Sequence, residues 1–347
     1  MASNEGDPKT LDPSSVIFGD KIGEGGFAVV YKVQLTTKDG GIVEAAAKNV
    51  DMLNNEAEIE YLAKLQHPYI ITLLGYFRDD WSLTIVTEFA EKGDLQSYLK
   101  KTKDGLGTEL ESRWIKESAK GLQYLHHNKV VHRDIKSANY LIMADDTLKL
   151  GDFGLAKELD QTMSTVGAGT TRWIAPEVFS NLKRSKMSDV YSYAIVIWEI
   201  LYRKIPFADL ESEFFIKCAV CDGERPEIRE DCPSRYRWLM ENGWHWDYQQ
   251  RPDMDTIADV LEADEVKEIE EILKDKDVKD SKPRQNKLEQ DVLHPEYLTE
   301  LDDTQAAIET RTERYSKEMD ELEESKQRMR RLAREKKAKK AEKAAGK

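Results

Sequence analysis

Residues 132–139 read His-Arg-Asp-Ile-Lys-Ser-Ala-Asn, and they are the most informative stretch of this 347-residue chain. Two shorter motifs come after it, Asp152-Phe153-Gly154 and Ala175-Pro176-Glu177. Any single Asp in such motifs can be explained as a turn residue or a helix cap. Three separate motifs in this order leave little room for chance, so we interpret them as parts of one chemical site.

A glycine-rich segment lies upstream and reads IGEGGFAVV over residues 22–30. Gly23 and Gly25 allow close approach of the backbone to a phosphate, and Ala28 takes the third position of the G-x-G-x-x-G pattern. Three interpretations are open: a phosphate-covering loop between two strands, a plain turn, and the first turn of a dinucleotide-binding unit. The last requires a helix after the glycines. Residues 29–35 instead alternate with the period of a half-buried strand.

Lys48 stands at the end of the next predicted strand, directly after three alanines. A lysine at such a place is often a solvated charge at the rim of a sheet. The turn residues Asp39-Gly40-Gly41 predict a hairpin, however, and the hairpin folds Lys48 back beneath the glycine-rich loop. A cation there would contact nucleotide phosphates and would need a carboxylate to hold it. The next predicted helix, 56–66, offers Glu56, Glu58 and Glu60.

With the glycine-rich loop and Lys48, the three motifs make this chain similar to the eukaryotic protein kinases over about 250 residues. The resemblance implies an α+β, bilobal protein kinase fold with a small β-rich N-lobe and a larger helical C-lobe. Further stretches resemble the tyrosine-kinase-like group, which includes Raf-like and mixed-lineage-like kinases and is mostly serine/threonine-specific. These stretches are GTTRWIAPE (169–177), SDVYS (188–192) and GERP (223–226).

The resemblance implies catalytic roles for four residues. Asp134 would accept the proton of the substrate hydroxyl and orient it in line for transfer. Lys136 would place a positive charge at the γ-phosphate of ATP, and a lysine two residues after the aspartate is typical of serine/threonine kinases. Lys48, held by Glu58, would clamp the α and β phosphates.

The implied metal ligands are Asn139 and Asp152. Their oxygen atoms suit Mg²⁺, which prefers hard oxygen ligands and keeps several waters. Mn²⁺ is an alternative ion. The resemblance therefore implies ATP and a divalent cation as the cofactors.

The resemblance also implies an adenine pocket between the two lobes. Val30 and Ala46 would form its upper face and Leu141 its lower face. Thr87 takes the gatekeeper position, and residues 88–90 would be the hinge whose backbone bonds the adenine edge. The whole predicted ATP-binding set is Ile22, Gly23, Glu24, Gly25, Gly26, Phe27, Ala28, Val29, Val30, Ala46, Lys48, Thr87, Glu88, Ala90 and Leu141.

Three features depart from the family pattern. Ala28 replaces the third glycine of the loop, which adds one methyl group. Ala194 and Gly243 stand where the family usually has Gly and Cys, and we expect both to be packing changes. Ten residues separate Lys48 from Glu58, fewer than is common, so we expect a very short connection and a helix that begins late or sits differently.

Regulation through the activation segment is implied by Arg133, which precedes the catalytic aspartate. A phosphate on this segment adds about −1.5 to −2 charge and would pair with Arg133 and Lys157. The predicted phosphorylation sites are Ser164 and Thr165, and the alternative is that both are ordinary solvated hydroxyls. Thr170 would contact the segment that contains Asp134, residues 132–139, which we call the catalytic loop.

Two scaffold contacts are implied as well. Asp189 would anchor the backbone of the catalytic loop, and Arg251 would pair with Glu177. Neither residue would touch the reacting groups.

Composition divides the chain near residue 263, since none of the seven tryptophans lies beyond Trp246 and charged residues dominate the remaining 84 positions, 264–347. We predict four segments. They are a disordered N-terminus (1–13), the kinase domain (14–262), a charged linker (263–295) and a charged helical or weakly coiled-coil tail with a basic C-terminus (296–347).

The tail carries an apolar residue every seven positions, at Leu301, Ile308, Tyr315, Leu322 and Met329. The paired heptad positions are mostly polar, so a self-associating coiled coil and a solvated single helix are both open. Residues 326–347 hold 11 Lys/Arg and 2 Asp/Glu, a net charge of +9. This basic end is a nuclear-import signal, a handle for acidic partners, or a soluble terminus.

The net charge of −14 argues against whole-protein affinity for nucleic acid or an anionic membrane. Residues 1–15 lack the apolar core of a signal peptide, and the apolar stretch 190–201 is too short to span a bilayer. The three cysteines, Cys218, Cys221 and Cys232, suggest free thiols in a reducing compartment. We expect a cytoplasmic protein whose partners are ATP and protein substrates, and nuclear entry through the basic end is one of the three alternatives given for that end.

Two classes of function compete for this sequence. One is an active ATP-dependent serine/threonine kinase in signal transduction, and the other is a pseudokinase scaffold that acts through its tail. A pseudokinase usually lacks at least one of five residues. All five, Lys48, Glu58, Asp134, Asn139 and Asp152, are present, and this favours the enzyme.

Overall fold

The structure, a computed structural model, describes residues 10–25, 28–51, 56–79, 82–102, 106–158, 171–179, 184–210 and 212–263. The predicted linker after residue 263, the tail with its heptads and basic end, and Ser164, Thr165, Thr170, Gly26 and Phe27 lie outside these ranges. Within them, strands predominate up to residue 88 and helices after it. The predicted α+β, two-lobed arrangement is thus confirmed.

An antiparallel sheet with the strand order β1-β2-β3-β5-β4 forms the N-terminal lobe. The strands are β1 (Val16–Gly25), β2 (Ala28–Thr36), β3 (Ile42–Asp51), β4 (Leu73–Arg78) and β5 (Ser82–Glu88). One helix, α1 (Glu56–Lys64), connects β3 to β4 in the chain and packs on the sheet. Its Ile59 and Leu62 belong to the same buried cluster as Val50 and Ile85. The predicted hairpin turn is present, because Gly40 supplies the positive φ of 83° that closes it between β2 and β3.

The helical lobe contains α2 (Leu95–Lys101), α3 (Thr108–His127), α4 (Pro176–Phe179), α5 (Lys186–Tyr202), α6 (Glu213–Cys221), α7 (Ser234–Gly243) and α8 (Met254–Glu262). Helix α5 lies at its centre, and most of its residues are buried. The helix begins at a capping box in which Ser185 and Ser188 satisfy each other's backbone N–H groups. Among the residues that the structure describes, no helix is both long and apolar enough to cross a bilayer.

Short strands interrupt the helical region, which the sequence did not predict. They are β6 (Val130–Val131), which pairs with β9 (Lys157–Glu158), and β7 (Tyr140–Ile142), which pairs with β8 (Leu148–Leu150). Both pairs flank the motif at 132–139. They hold the two ends of this loop at fixed positions under the sheet.

The end of the predicted disordered N-terminus is structured. The Leu11 N–H donates to the carbonyl oxygen of Tyr76 at 2.8 Å, and Leu11 packs against the apolar cluster on the outer face of the sheet. Residues 10–13 therefore belong to the N-lobe, because β4 leaves an edge that this segment pairs with.

Ala194 and Gly243, two of the residues that depart from the family pattern, face each other between α5 and α7. A Cβ atom at Gly243 would lie 2.9 Å from the Cβ of Ala194, which is too close for two carbon atoms. The alanine fills the space that the glycine leaves. The two departures therefore compensate for each other, which explains them as one packing change.

We predict that Gly243→Ala lowers the free energy of unfolding by about 1–3 kcal/mol, because it overpacks the contact with Ala194. Ala194→Gly alone should also destabilise, by about 1 kcal/mol, through its lower helix propensity. The double variant should nevertheless be more stable than Gly243→Ala, because the clash is gone. Urea unfolding of the four proteins measures this coupling. A double variant less stable than both single variants contradicts the packing argument.

Candidate active site

The motif at 132–139 forms a loop whose backbone is fixed by Asp189 of α5. Its carboxylate accepts the N–H groups of His132 and Arg133 at 2.8 and 2.9 Å, and also the Nε2–H of His126 at 3.1 Å. Arg133 has a positive φ of 70°, which is unusual for a residue with a side chain. The structure thus places Asp189 where the resemblance implied, as the anchor of this loop.

The two carboxylate oxygens of Asp134 differ, because one accepts hydrogen bonds and the other does not. Its Oδ2 accepts hydrogen bonds from Lys136 Nζ at 2.7 Å and from Asn139 Nδ2 at 3.0 Å. Its Oδ1 is buried and accepts no hydrogen bond from any residue that the structure describes. Because a buried carboxylate oxygen is normally satisfied, this atom is the natural acceptor for a hydroxyl group brought to the site.

Asp152 and Phe153 stand side by side but have opposite environments. The side chain of Phe153 is fully buried and contacts His132 edge to face, with ring centroids 5.2 Å apart. Asp152 has a positive φ of 56°, and its side chain is 48% exposed. The backbone conformation thus turns the carboxylate of Asp152 away from the core that holds Phe153.

Lys48 lies between two carboxylates. Its Nζ donates to Glu58 Oε1 and Oε2 at 2.9 and 3.0 Å and to Asp152 Oδ1 at 2.7 Å. Burial disfavours the charged ammonium, but Asp152 and Glu58 outweigh it and raise the pKa of Lys48. Partial desolvation by the surrounding protein opposes ionisation of Asp152, yet the Lys48 charge prevails and lowers the pKa of that carboxyl to about 2. Both groups are therefore charged at neutral pH.

The short spacing between Lys48 and Glu58 does not separate the pair. Strand β3 continues to Asp51 and α1 begins at Glu56, the predicted first residue of the helix, so the short spacing does not delay its start. Glu58 lies in the first turn and is 3% exposed. The connection is short, as predicted, and the ion pair is formed in spite of it.

Asn139 and Asp152 offer oxygen atoms to a divalent cation. Asn139 uses its Nδ2 to donate to the backbone oxygen and Oδ2 of Asp134, at 2.7 and 3.0 Å, which leaves its Oδ1 as an acceptor. Asp152 is ionised and half exposed. Two hard oxygen ligands fit Mg²⁺ bound jointly with phosphates and water. In the part of the chain described, no group of three or more His, Cys, Asp or Glu offers an all-protein metal site.

Several of the predicted adenine contacts lie on neighbouring strands of the sheet. Val30 pairs with Lys48 across β2 and β3, and Ala46 pairs with Thr87 across β3 and β5. The backbone N–H of Glu88 donates to the carbonyl of Thr72 at 3.0 Å, and the Glu88 carbonyl accepts from Thr87 Oγ1 at 3.3 Å. Leu141 of β7 is partly buried and forms a bridge with Asp94.

The glycine-rich loop joins two strands. Gly23, Glu24 and Gly25 of β1 pair with Val30, Val29 and Ala28 of β2. A Rossmann turn would continue into a helix, so the dinucleotide interpretation is wrong. Ile22 is 49% exposed, as expected for a residue at the mouth of a cleft.

Contacts outside the motifs were not predicted. Lys149 of β8 donates to both carboxylate oxygens of Glu88 at 2.8 Å and so ties the hinge to the C-lobe. Glu199 of α5 accepts hydrogen bonds from Ser137 and Trp173. These partners lie 61, 62 and 26 residues apart in sequence, and no local pattern pairs them. The expected pair of Arg251 with Glu177 is present, at 2.7 and 2.8 Å.

A loop carrying a carboxylate oxygen without a hydrogen bond, a lysine held by two carboxylates and two candidate cation ligands is the arrangement expected of a kinase-type phosphoryl-transfer site. Comparison with known proteins agrees: residues 16–261 match the family described as "Protein tyrosine and serine/threonine kinase". This match covers more than half of the chain. The chain belongs to the protein kinase family.

Known relatives include tyrosine-kinase-like serine/threonine kinases. The chain is 34% identical to mitogen-activated protein kinase kinase kinase 7 of Drosophila melanogaster over 258 residues, which is 72% of this chain and 38% of the relative. It is 32% identical to serine/threonine-protein kinase STY46 of Arabidopsis thaliana over 249 residues, 71% and 43% of the two chains. With dlk-1, a mitogen-activated protein kinase kinase kinase of Caenorhabditis elegans, it shares 39% identity over 192 residues, 54% and 20%. The group resemblance drawn from the motifs is confirmed. The chain spans less than half the length of each of these relatives.

We predict that Lys48→Met weakens ATP binding and lowers the free energy of unfolding by about 3 kcal/mol at pH 7, because it leaves the buried Glu58 carboxylate without its cation. The loss should shrink as the pH falls towards 5, since a buried carboxylate without a cation takes up a proton more readily. Urea unfolding at both pH values measures it.

The matched control is Lys48→Met combined with Glu58→Gln, which removes the uncompensated charge. This double variant should recover stability at pH 7 without recovering ATP binding. An equal loss of stability at pH 5 and pH 7 in Lys48→Met would contradict the ion-pair argument.

Proposed function

We propose that this protein is an ATP-dependent serine/threonine protein kinase that transfers the γ-phosphate of ATP to Ser or Thr hydroxyls of protein substrates in signal transduction. The observation that carries the proposal is the buried, unbonded Oδ1 of Asp134. It lies on the same carboxylate that Lys136 and Asn139 hold in place.

The chemistry is a direct consequence of these groups. The substrate hydroxyl donates to Asp134 Oδ1, which orients its oxygen and takes the proton as the new O–P bond forms. The bond from the γ-phosphorus to the bridging oxygen breaks, and ADP leaves with that electron pair. Since the transition state is loose, positioning and charge stabilisation supply most of the rate. Lys136 brings a positive charge within 2.7 Å of Asp134, close to the transferred group.

Lys48 and the two cation ligands serve the other end of the nucleotide. Lys48 is held charged by Glu58 and Asp152 and is suited to the α and β phosphates. Asn139 and Asp152 would hold Mg²⁺, which neutralises phosphate charge when bound. Mn²⁺ has the same ligand preference and is proposed as a substitute.

The scaffold alternative gains no support. All five residues that a pseudokinase tends to lose are present, and they contact one another: Lys48 binds Glu58 and Asp152, and Asn139 binds Asp134. The relative STY46, whose name describes it as a serine/threonine-protein kinase, supports the specificity class. Self-association through residues 296–347, control through Ser164 or Thr165, a cytoplasmic location and nuclear import rest on sequence alone and stay predictions.

The test is phosphate transfer from radiolabelled ATP with Mg²⁺, to the protein itself and to a generic basic protein, followed by phosphoamino-acid analysis. We expect label on Ser and Thr. Asp134→Asn should lower transfer by roughly 10²–10⁴-fold, because it removes the proton acceptor. ATP affinity should stay within about twofold, since the phosphates contact other residues.

Three outcomes oppose the proposal. Strong transfer by a clean Asp134→Asn preparation would remove Asp134 from its role. Absence of label from folded parent protein that binds ATP would favour the scaffold function instead, and label on tyrosine alone would change the specificity class.

A further inference from the structure

One face of helix α5 carries three polar residues that reach out of the helix to two separate segments. Asp189, Ser192 and Glu199 occupy positions i, i+3 and i+10, which share a face. Asp189 fixes the start of the catalytic loop through its backbone N–H groups. The other two residues take no part in the proposed phosphoryl transfer itself.

Glu199 is 3% exposed, and each of its carboxylate oxygens accepts a short hydrogen bond. Ser137 Oγ donates to Oε1 at 2.7 Å, and Trp173 Nε1 donates to Oε2 at 2.7 Å. No positively charged residue forms an ion pair with this carboxylate among the residues described. Two neutral side chains therefore hold a buried acid.

One donor lies within a motif of the site and the other lies just before a second motif. Ser137 lies in the catalytic loop, between Lys136 and Asn139. Trp173 lies directly before Ile174 and the Ala175-Pro176-Glu177 motif, whose glutamate pairs with Arg251. The backbone of Trp173 is held by the same helix, since Ser192 Oγ donates to its carbonyl oxygen at 2.6 Å.

We propose that Glu199 is a positioning residue that ties the catalytic loop, through Ser137, and the segment before Ala175, through Trp173, to one point of α5. The two segments are thereby held in one fixed relation. Glu199 acts on catalysis through them and touches neither ATP nor the substrate. This role deepens the proposed kinase function and rests on it for its kinetic test.

The free-energy cost of burying the Glu199 carboxyl group supports a specific role for it. Burial raises the pKa of Glu199 to about 7, against the hydrogen bonds from Ser137 and Trp173 and the distant charge of Lys100 on α2, which lower it. An apolar residue of similar size on a buried helix would avoid this penalty. What an apolar residue cannot provide is two acceptor atoms aimed at two segments.

Glutamine is the matched control for this geometry. In Glu199→Gln the amide oxygen can accept from Trp173 Nε1, while the amide nitrogen donates to Ser137 Oγ, because a hydroxyl both donates and accepts. Both links persist without the charge. Glu199→Ala removes both links at once.

The experiment measures kcat and the KM values for ATP and for a peptide substrate in the full-length chain. We expect Glu199→Gln to stay within about twofold of the parent. Glu199→Ala should lower kcat by about tenfold or more, as expected for the loss of two buried hydrogen bonds, with the KM for ATP unchanged. In the Glu199→Ala background, Ser137→Ala and Trp173→Phe should cost nothing further, because their partner is already gone.

A second readout does not depend on activity. Amide hydrogen exchange of peptides that cover 133–142 and 171–178 should speed up in both segments in Glu199→Ala, and in neither in Glu199→Gln. If Glu199→Ala does not fold, Ser137→Ala and Trp173→Phe replace it, and each should loosen the segment it belongs to. A parent protein without transferase activity counts against the proposed function, while exchange still tests the link.

Three results would overturn the inference. The first is a Glu199→Ala variant with parental kcat and parental exchange. The second is Glu199→Gln as impaired as Glu199→Ala, which would make the charge the active feature. The third is a further loss in the Ser137→Ala or Trp173→Phe double variants equal to the loss in the parent background.

Discussion

The charge balance around Lys48 is the constraint that orders the rest of the site. A buried ammonium group is costly unless carboxylates pair with it, and here they come from two other elements: Glu58 from α1 and Asp152 from the segment after β8. The sheet, the helix and the Asp152 motif must therefore meet at one point before the charge is satisfied. The same meeting keeps Asp152 ionised and places it close to Asn139, the other proposed cation ligand.

Helix α5 provides the corresponding constraint in the larger lobe. Asp189 binds two consecutive backbone N–H groups, and this fixes a loop conformation with a positive φ at Arg133 that the chain would not adopt alone. In the fixed loop, Lys136 and Asn139 both donate to one oxygen of Asp134, and the other oxygen is left without a hydrogen bond. The reactive geometry is thus a consequence of packing around a buried helix.

The sequence predicted the parts of this protein that are local. The three motifs, the glycine-rich hairpin and the Lys48–Glu58 pair have fixed residue types at short spacing, and the fold was inferred from them. Strand β4 escaped notice because a register shift near Gly75 breaks its alternation, and two-residue strands such as Val130–Val131 carry no period. The start of α1 at Glu56 was predicted, but its end was placed two residues too late, at residue 66 instead of Lys64.

Glu199 shows why the remaining contacts could not be predicted from the sequence. A glutamate at the end of an apolar helical stretch is expected to be solvated, and its partners Ser137 and Trp173 have no sequence feature that points to it. Only the packing of three segments reveals that α5 binds the catalytic loop with two carboxylates ten residues apart, roughly 15 Å along the helix. Two anchors fix the orientation of a loop as well as its position. Since phosphoryl transfer depends on preorganised groups rather than on covalent chemistry, such anchors contribute to the rate without touching a substrate.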